Sequence, residues 1–313
     1  MTIASPTARA PVTLPPMPSE REAAAVHEPI RMARAALDGE RLVFSEPHGF
    51  ARAISEGFFL LAVPEGFDPG PGDRFARHFF EEPRGDANDV YRGYRSVAVP
   101  GDYQGYFDRP HDQWENFYIE RGNWNVLPPD VARMGAAMSA IGIRVLRAVL
   151  SELAIPQDCW PAVTGGLSDF AGHQMLAFNH FRSDRPVRGS KFHRDSGWVT
   201  VLRSTDRGLL AYIDGRLRAV DPQPGFLIVN FGSSIEVFTE RSPQPVRANV
   251  HGVVRTERDE DAEDRVSFVT FLDSALDGTI HRWEDGRPVP LQSVVDFAVQ
   301  EVQRTYDGDD ATL

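Results

Sequence analysis

The sequence predicts a mainly β protein with flanking helices, built on a double-stranded β-helix (jelly-roll) core. Three observations carry that expectation. After residue 160 the apolar pattern alternates, with short candidate strands at 174–181, 198–203, 208–213, 216–220, 225–231, 246–254 and 265–272. Asp214-Gly215 is a hairpin signal between two of them. On either side the period is helical. Val131, Met134, Met138, Ile141, Val145, Val149 and Leu153 recur three or four apart over about 130–153, with Asp130 as a candidate N-cap. Val294, Val295, Phe297, Ala298 and Val302 mark a closing helix at about 291–305. Many short strands at regular spacing suit two packed sheets.

The remaining elements follow in order. Residues 1–29 hold six prolines and no sustained apolar period, which suits a disordered arm. In PHGFARAISEGFFLLAVPEG (47–66), Phe50 and Ile54 suit a short helix that Gly57 ends, and FFLLAV (58–63) reads as a buried strand. Phe75, Phe79 and Phe80 mark a second amphipathic helix running to about Pro83. Residues 84–130 are loop-rich and aromatic, as a lid over a core would be. One structural domain from about residue 30 is expected: a helical N-terminal region with lid-like loops at 30–160, the jelly-roll core at 161–290, and a C-terminal helix and tail at 291–313.

Composition narrows the function classes. The chain has 313 residues and a formal net charge of −12, so it lacks the excess of cations that a nucleic-acid or anionic-membrane surface needs. Cys159, the single cysteine, excludes an internal disulfide framework and reads as a small buried apolar residue. No long apolar run or secretory leader stands out, and a cytoplasmic protein acting on a small molecule is expected. Of 33 basic residues only Lys191 is a lysine, a skew that suits a GC-rich bacterial genome.

The chemistry centres on FHRDSG. His193 and Asp195 stand at i, i+2, a spacing that points both side chains to one side of a strand. His251, inside a later candidate strand, completes a set of two imidazoles and one carboxylate, with His281 as a weaker alternative. Such a facial set leaves coordination positions open, which suits non-haem Fe(II) better than a closed zinc site. His173 and His180 precede the pair and read as structural. Arg265 and Ser267, again i, i+2, can grip a carboxylate with a guanidinium fork and a hydroxyl. Arg188-Gly189-Ser190 has the same spacing but precedes the histidine-aspartate pair in a turn-like stretch.

These motifs, in this order, resemble the iron(II)- and 2-oxoglutarate-dependent dioxygenases, in particular the branch of isopenicillin N synthase and deacetoxycephalosporin C synthase. The likeness extends to SEGFFLLAVPEG, VYRGYRS, WENFYIERGNWNVLP, AFNHF and VDPQPGFLIVNFGSSIEVFT, so that it covers roughly residues 47–305. It implies His193, Asp195 and His251 as iron ligands, and Arg265, Ser267 and Asn179 as 2-oxoglutarate contacts, with Phe181 where the family's Asn-x-Tyr has tyrosine. It implies substrate contacts at Arg92 and Tyr94, and Lys191, Phe192 and Trp198, which flank the iron motif, are further candidate substrate contacts. It further implies O2 as cosubstrate, release of succinate and CO2, and hydroxylation, desaturation or ring formation on a small peptide- or amino-acid-derived bacterial metabolite, as in antibiotic biosynthesis and other secondary metabolism. A 2-oxoglutarate-independent oxidase and a non-enzymatic ligand-binding jelly roll are the alternatives.

Overall fold

A computed structural model describes residues 26–257 and 263–306. The chain begins with β1 (Arg34–Asp38), β2 (Arg41–Phe44), α1 (Gly49–Glu56), β3 (Phe58–Ala62) and α2 (Gly70–His78). β4 (Gly105–Asp108), β5 (Trp114–Glu120), α3 (Pro129–Glu152) and α4 (Trp160–Val163) follow. The β-rich half comprises β6 (His173–Phe181), β7 (Ser190–His193), β8 (Val199–Ser204), β9 (Leu209–Ile213), β10 (Arg216–Ala219), β11 (Phe226–Phe231), α5 (Ser233–Thr239), β12 (Val250–Val253) and β13 (Arg265–Asp273). A hairpin, β14 (Thr279–Glu284) and β15 (Arg287–Ser293), leads into α6 (Val294–Tyr306).

Among the described residues, one sheet runs β2-β1-β3-β11-β8-β13-β6-β5-β4, and a smaller one runs β10-β9-β12-β7. The FFLL run of β3 shows how the sheets pack. Phe59 and Leu61 face outward into the core beneath α2 and α3, with Phe178, Phe268, Met134 and Met138. Phe58 and Leu60 face inward, with Trp114, Phe181 and Ile228, against Leu209, Ala211 and Val253 of the small sheet. A strand buried on both faces reads as a continuous apolar run. Gly57 caps α1 at φ +80° and turns the chain into β3, where a Cβ would meet the Arg247 carbonyl at 2.9 Å.

Inward-facing residues form rows across the large sheet, set by the antiparallel registers. Trp114, Phe181 and Arg265 make one row; Asn116, Asn179, Ser267 and Ser204 the next. Tyr118, Ala177, Val269, Leu202 and Ile228 follow, then Met175, Phe271, Thr200 and Asn230.

Several expectations are corrected. Residues 30–160 contribute five strands besides helices, and the aromatic stretch expected as a lid holds β4 and β5, which extend the main sheet. Its aromatics alternate, so Phe117 and Ile119 pack outward while Trp114 packs inward. Asp130 is not the N-cap of α3: the helix starts at Pro129, whose missing N–H costs nothing there. Asp130 instead accepts the Tyr91 hydroxyl proton at 2.6 Å. α3 is long and apolar enough to span a membrane, but 67% of that stretch is buried inside the protein. Cys159 is half-buried at the core edge. α6 starts at Val294 because Ser293 caps it reciprocally with Asp296, and the preceding residues pair as β15. Of the expected arm, residues 1–25 lie outside the described residues, whereas the Glu28 carbonyl accepts the Ala219 N–H at 3.0 Å. The expected tail at 307–313 also lies outside them.

On the outer side of β5 and β6, His180 bridges two carboxylates. Its Nδ1 lies 2.8 Å from Glu115 and its Nε2 3.0 Å from Asp264, while its ring stacks on Phe80. Burial would raise the carboxyl of the fully buried Glu115. Hydrogen bonds from His180, Tyr106 and Arg95 outweigh it and hold the group at about 2. Burial likewise opposes charge on His180, and its two carboxylate partners outweigh it, raising its pKa. Glu115→Gln should therefore lower unfolding free energy at pH 7 by about 3 kcal/mol, measured by denaturant titration. The carboxylate's contribution is complete above the ordinary glutamate pKa and is lost as pH falls through about 2, so variant and wild type should converge there.

Candidate metal centre

The register of β7 against β12 makes His193 and His251 direct antiparallel neighbours. Their rings lie 4.7 Å apart between centroids. His193 Nδ1 faces the Lys191 carbonyl at 2.9 Å and His251 Nδ1 the Asn249 carbonyl at 3.2 Å. A carbonyl only accepts, so each Nδ1 carries the proton and each Nε2 is left as the ligating atom.

Asp195 follows β7 in a turn held from below by α5. The Ser233 N–H donates to the Asp195 carbonyl at 2.7 Å, and the Ser234 N–H to the carbonyls of Ser196 and Gly197. Gly232 permits this approach, since a Cβ there would stand 2.2 Å from the Gly197 carbonyl oxygen. Asp195 Oδ2 accepts from the Thr200 hydroxyl at 2.6 Å and the Asn230 amide at 2.7 Å. Oδ1 faces the two imidazoles, 3.6 Å from His193 Nε2 and 3.8 Å from His251 Nε2.

The donor set fits a divalent ion. Two nitrogens and one oxygen lie within 4.8 Å of one another. An octahedral ion with ligands at about 2.1 Å needs neighbouring ligands about 3 Å apart, which small side-chain rotations supply. Electrostatics agree. Burial would raise the Asp195 carboxyl, but His251, His193 and Thr200 hold it well below the usual carboxylate range. Burial, reinforced by the neighbouring His193, lowers His251 to about 4 against the pull of Asp195, so its ring is neutral at pH 7.

Arg265 is the second feature. It is buried, with its guanidinium 4.4 Å from the Phe181 ring centroid. Nε donates to the Arg207 carbonyl and Nη2 to the Ser204 hydroxyl, but the buried Nη1 has no hydrogen-bond partner. Desolvation pulls its pKa down to about 10, which leaves it cationic at neutral pH. An orphaned guanidinium N–H in the interior is costly and suits a ligand carboxylate. Ser267, one row away, accepts from Asn179 Nδ2 at 3.2 Å, so its own proton is available to the same anion.

The other candidate residues fall in different places. Lys191 lies on β7 two residues before His193, on the same face by alternation, and is buried. Phe192 faces the opposite way and packs with Leu210 and Val250 behind the small sheet. Trp198 lies in the outer core, donating to Ser274 and packing on Phe238. Arg92 is bound to Glu81, Asp86 and Asp89, and Tyr94 packs on Phe75 and Phe117 in the outer core. The structure does not bring these four side chains together with the triad. His281 stands on β14, outside the cluster, and His173 faces Glu120 at 3.6 Å. Sequence reasoning missed Thr200 and Asn230, which orient Asp195; both are inward positions of strands it found.

Fe(II) titration of the apoprotein tests the site. His251→Ala should lose stoichiometric binding with its far-UV circular dichroism unchanged. Thr200→Val and Asn230→Ala should each weaken Fe(II) binding about 10–100-fold, since each releases one hold on Asp195.

Residues 172–274 match the sequence model of the 2OG-Fe(II) oxygenase superfamily. Protein DMR6-LIKE OXYGENASE 2 of Arabidopsis thaliana is 26% identical over 153 residues, a match covering 48% of this chain and 40% of that protein's length. The fold is similar to that of the dioxygenase for auxin oxidation of rice, with a TM-score of 0.62 at 20% identity over 90% of this chain and 98% of that one. It is also similar to full-length T7H of Neurospora crassa in complex with alpha-KG and 5-formyluracil, with a TM-score of 0.60 at 20% identity over 80% and 88%. The stretch that matches the 2OG-Fe(II) oxygenase superfamily model is thus the one that holds the triad, Arg265 and Ser267.

Proposed function

We propose that the protein is a non-haem Fe(II)/2-oxoglutarate-dependent oxygenase of the isopenicillin N synthase and deacetoxycephalosporin C synthase-like branch. Its substrate is a small peptide- or amino-acid-derived metabolite of bacterial secondary metabolism, oxidised in the cytoplasm by hydroxylation, desaturation or ring formation. The observation that carries the reading is one interior holding both a two-histidine, one-carboxylate set and a buried arginine with an unmet donor.

His193, Asp195 and His251 would hold the iron; Arg265 and Ser267 would hold the distal carboxylate of 2-oxoglutarate, with Asn179 fixing the serine. Bound together with O2, iron and 2-oxoglutarate supply the oxidising power to functionalise an unactivated carbon, with succinate and CO2 as coproducts. The chain's own contribution is placement and dryness. The edge of Phe58 packs on His251 with ring centroids 5.8 Å apart, and Trp114 lies beside His193 at 6.4 Å. Leu60, Ile228 and Leu202 continue this apolar wall and exclude water. Phe181 offers its ring face to Arg265 where the family's tyrosine would offer a hydroxyl. Lys191, buried on the face of β7 that carries His193, would meet a polar substrate group.

Anaerobic addition of Fe(II) and 2-oxoglutarate should produce a weak visible absorption band. Intact iron binding with no band would favour the 2-oxoglutarate-independent oxidase. Arg265→Leu should raise the 2-oxoglutarate concentration for half-maximal band intensity by about two orders of magnitude, equivalent to ~3 kcal/mol of lost charge-assisted hydrogen bonding. Wild-type cosubstrate affinity in that variant would remove Arg265 from the site. Candidate metabolites are then screened for succinate release coupled to a product mass change.

A further inference from the structure

A second buried arginine shares the inner side of the large sheet. Arg109 follows β4 and is 8% exposed, yet it has no carboxylate partner among the described residues. Nε donates to Asn116 Oδ1 at 3.3 Å, and its Cζ lies 5.2 Å from the Phe107 ring centroid. Nη2 is buried with no hydrogen-bond partner, as Arg265 Nη1 is. A buried guanidinium donor left unmet costs free energy unless a ligand meets it.

Its neighbours place it with respect to the triad. Asn116 and Tyr118 share the inward face of β5 with Trp114, whose ring lies beside His193. The Tyr118 hydroxyl feels both the Arg109 guanidinium and the Asp195 carboxylate, so Arg109 stands on the triad side of the sheet. A one-way chain of side chains separates it from Arg265. Arg109 donates to Asn116, Asn116 Nδ2 to Asn179 Oδ1 at 2.6 Å, and Asn179 to Ser267 at 3.2 Å. Ser267, at the far end, lies two residues beyond Arg265 on the same face of β13. The two unmet cationic donors thus lie at opposite ends of this relay, and one small anion cannot satisfy both.

We infer that Arg109 anchors the carboxylate of the substrate, whose class is an apolar-bodied monocarboxylic acid. The inference rests on the oxygenase reading of the triad. One guanidinium with Tyr118 and Asn116 supplies donors for a carboxylate. Asp195 and Asp112, both within electrostatic reach of Tyr118, oppose a dianion such as phosphate. The wall between the relay and the triad is apolar, with Val269, Leu202 and Ile228 in the Tyr118 row and Phe271 in the next. An acid held at Arg109 would lay its hydrocarbon body along that wall towards the metal-binding side chains.

Arginine side-chain Nε–H NMR tests this with benzoate as the anion and benzamide as its neutral match. The Arg109 resonance is assigned from Arg109→Lys, and titrations are run with and without Zn(II) plus saturating 2-oxoglutarate. Saturable movement of that resonance by benzoate and not by benzamide, persisting with 2-oxoglutarate bound, is expected. Arg109→Gln should weaken benzoate binding at least tenfold in calorimetry while leaving 2-oxoglutarate affinity within about threefold of wild type. An unresponsive Arg109 signal in wild-type protein overturns the inference. So does a loss of 2-oxoglutarate affinity in Arg109→Gln as large as that in Arg265→Leu, which would assign Arg109 to the cosubstrate. Failure of Zn(II) and 2-oxoglutarate to bind, with benzoate still moving the Arg109 signal, would count against the oxygenase reading and not against the anion site.

Discussion

The pairing of β7 with β12 is the constraint on which the centre depends. Side chains alternate across a strand, so a slip of one residue in that register would send one histidine of the pair to the outer face. The in-register pair sets two imidazoles side by side, and the backbone carbonyls of Lys191 and Asn249 select the tautomer that leaves both Nε2 atoms aimed at the same place. Asp195 reaches that place only because the turn after β7 is clamped by the first N–H groups of α5.

The interior is polar in an ordered way. Arg109, Asn116, Asn179, Ser267 and Arg265 make a polar band on the inner face of the large sheet, beside apolar inner residues such as Phe58, Leu60 and Ile228. Each amide accepts one hydrogen bond and donates one along the relay, while the guanidinium groups at its ends keep unmet N–H groups. Desolvation makes such groups expensive for the empty fold and effective for binding, because a ligand anion arrives where little water competes. The outer face of the same sheet shows the opposite arrangement. There His180, Glu115, Arg95 and Asp264 meet one another's charges, and the result holds strands together.

Sequence periodicity resolved the β-rich half well because its strands are either alternating or apolar on both faces. β6, β8, β9, β11 and β13 fall within a residue or two of their expected positions. It failed over 84–130 because β5 carries buried charge and amide groups at alternate positions, Glu115 on one face and Asn116 on the other. These polar residues are satisfied only by partners far along the chain, His180 and Asn179, and such pairing leaves no local period to read. Arg109 escaped notice for the same reason: nothing in DRPHDQ distinguishes a buried arginine from a surface one.

By itself the sequence determined which residues can ligate a metal and grip a carboxylate, since residue type and i, i+2 spacing decide what chemistry a strand face can offer. It also determined the two-sheet architecture, through alternation and turn residues. Only the tertiary structure decided which faces meet. It turned Lys191 inward and Phe192 outward, kept Arg92 in an ion cluster away from the triad, and set Arg109 beside Tyr118. The physical reason is that burial and unmet hydrogen bonds are properties of neighbours, and neighbours distant in the chain are assigned by packing and register.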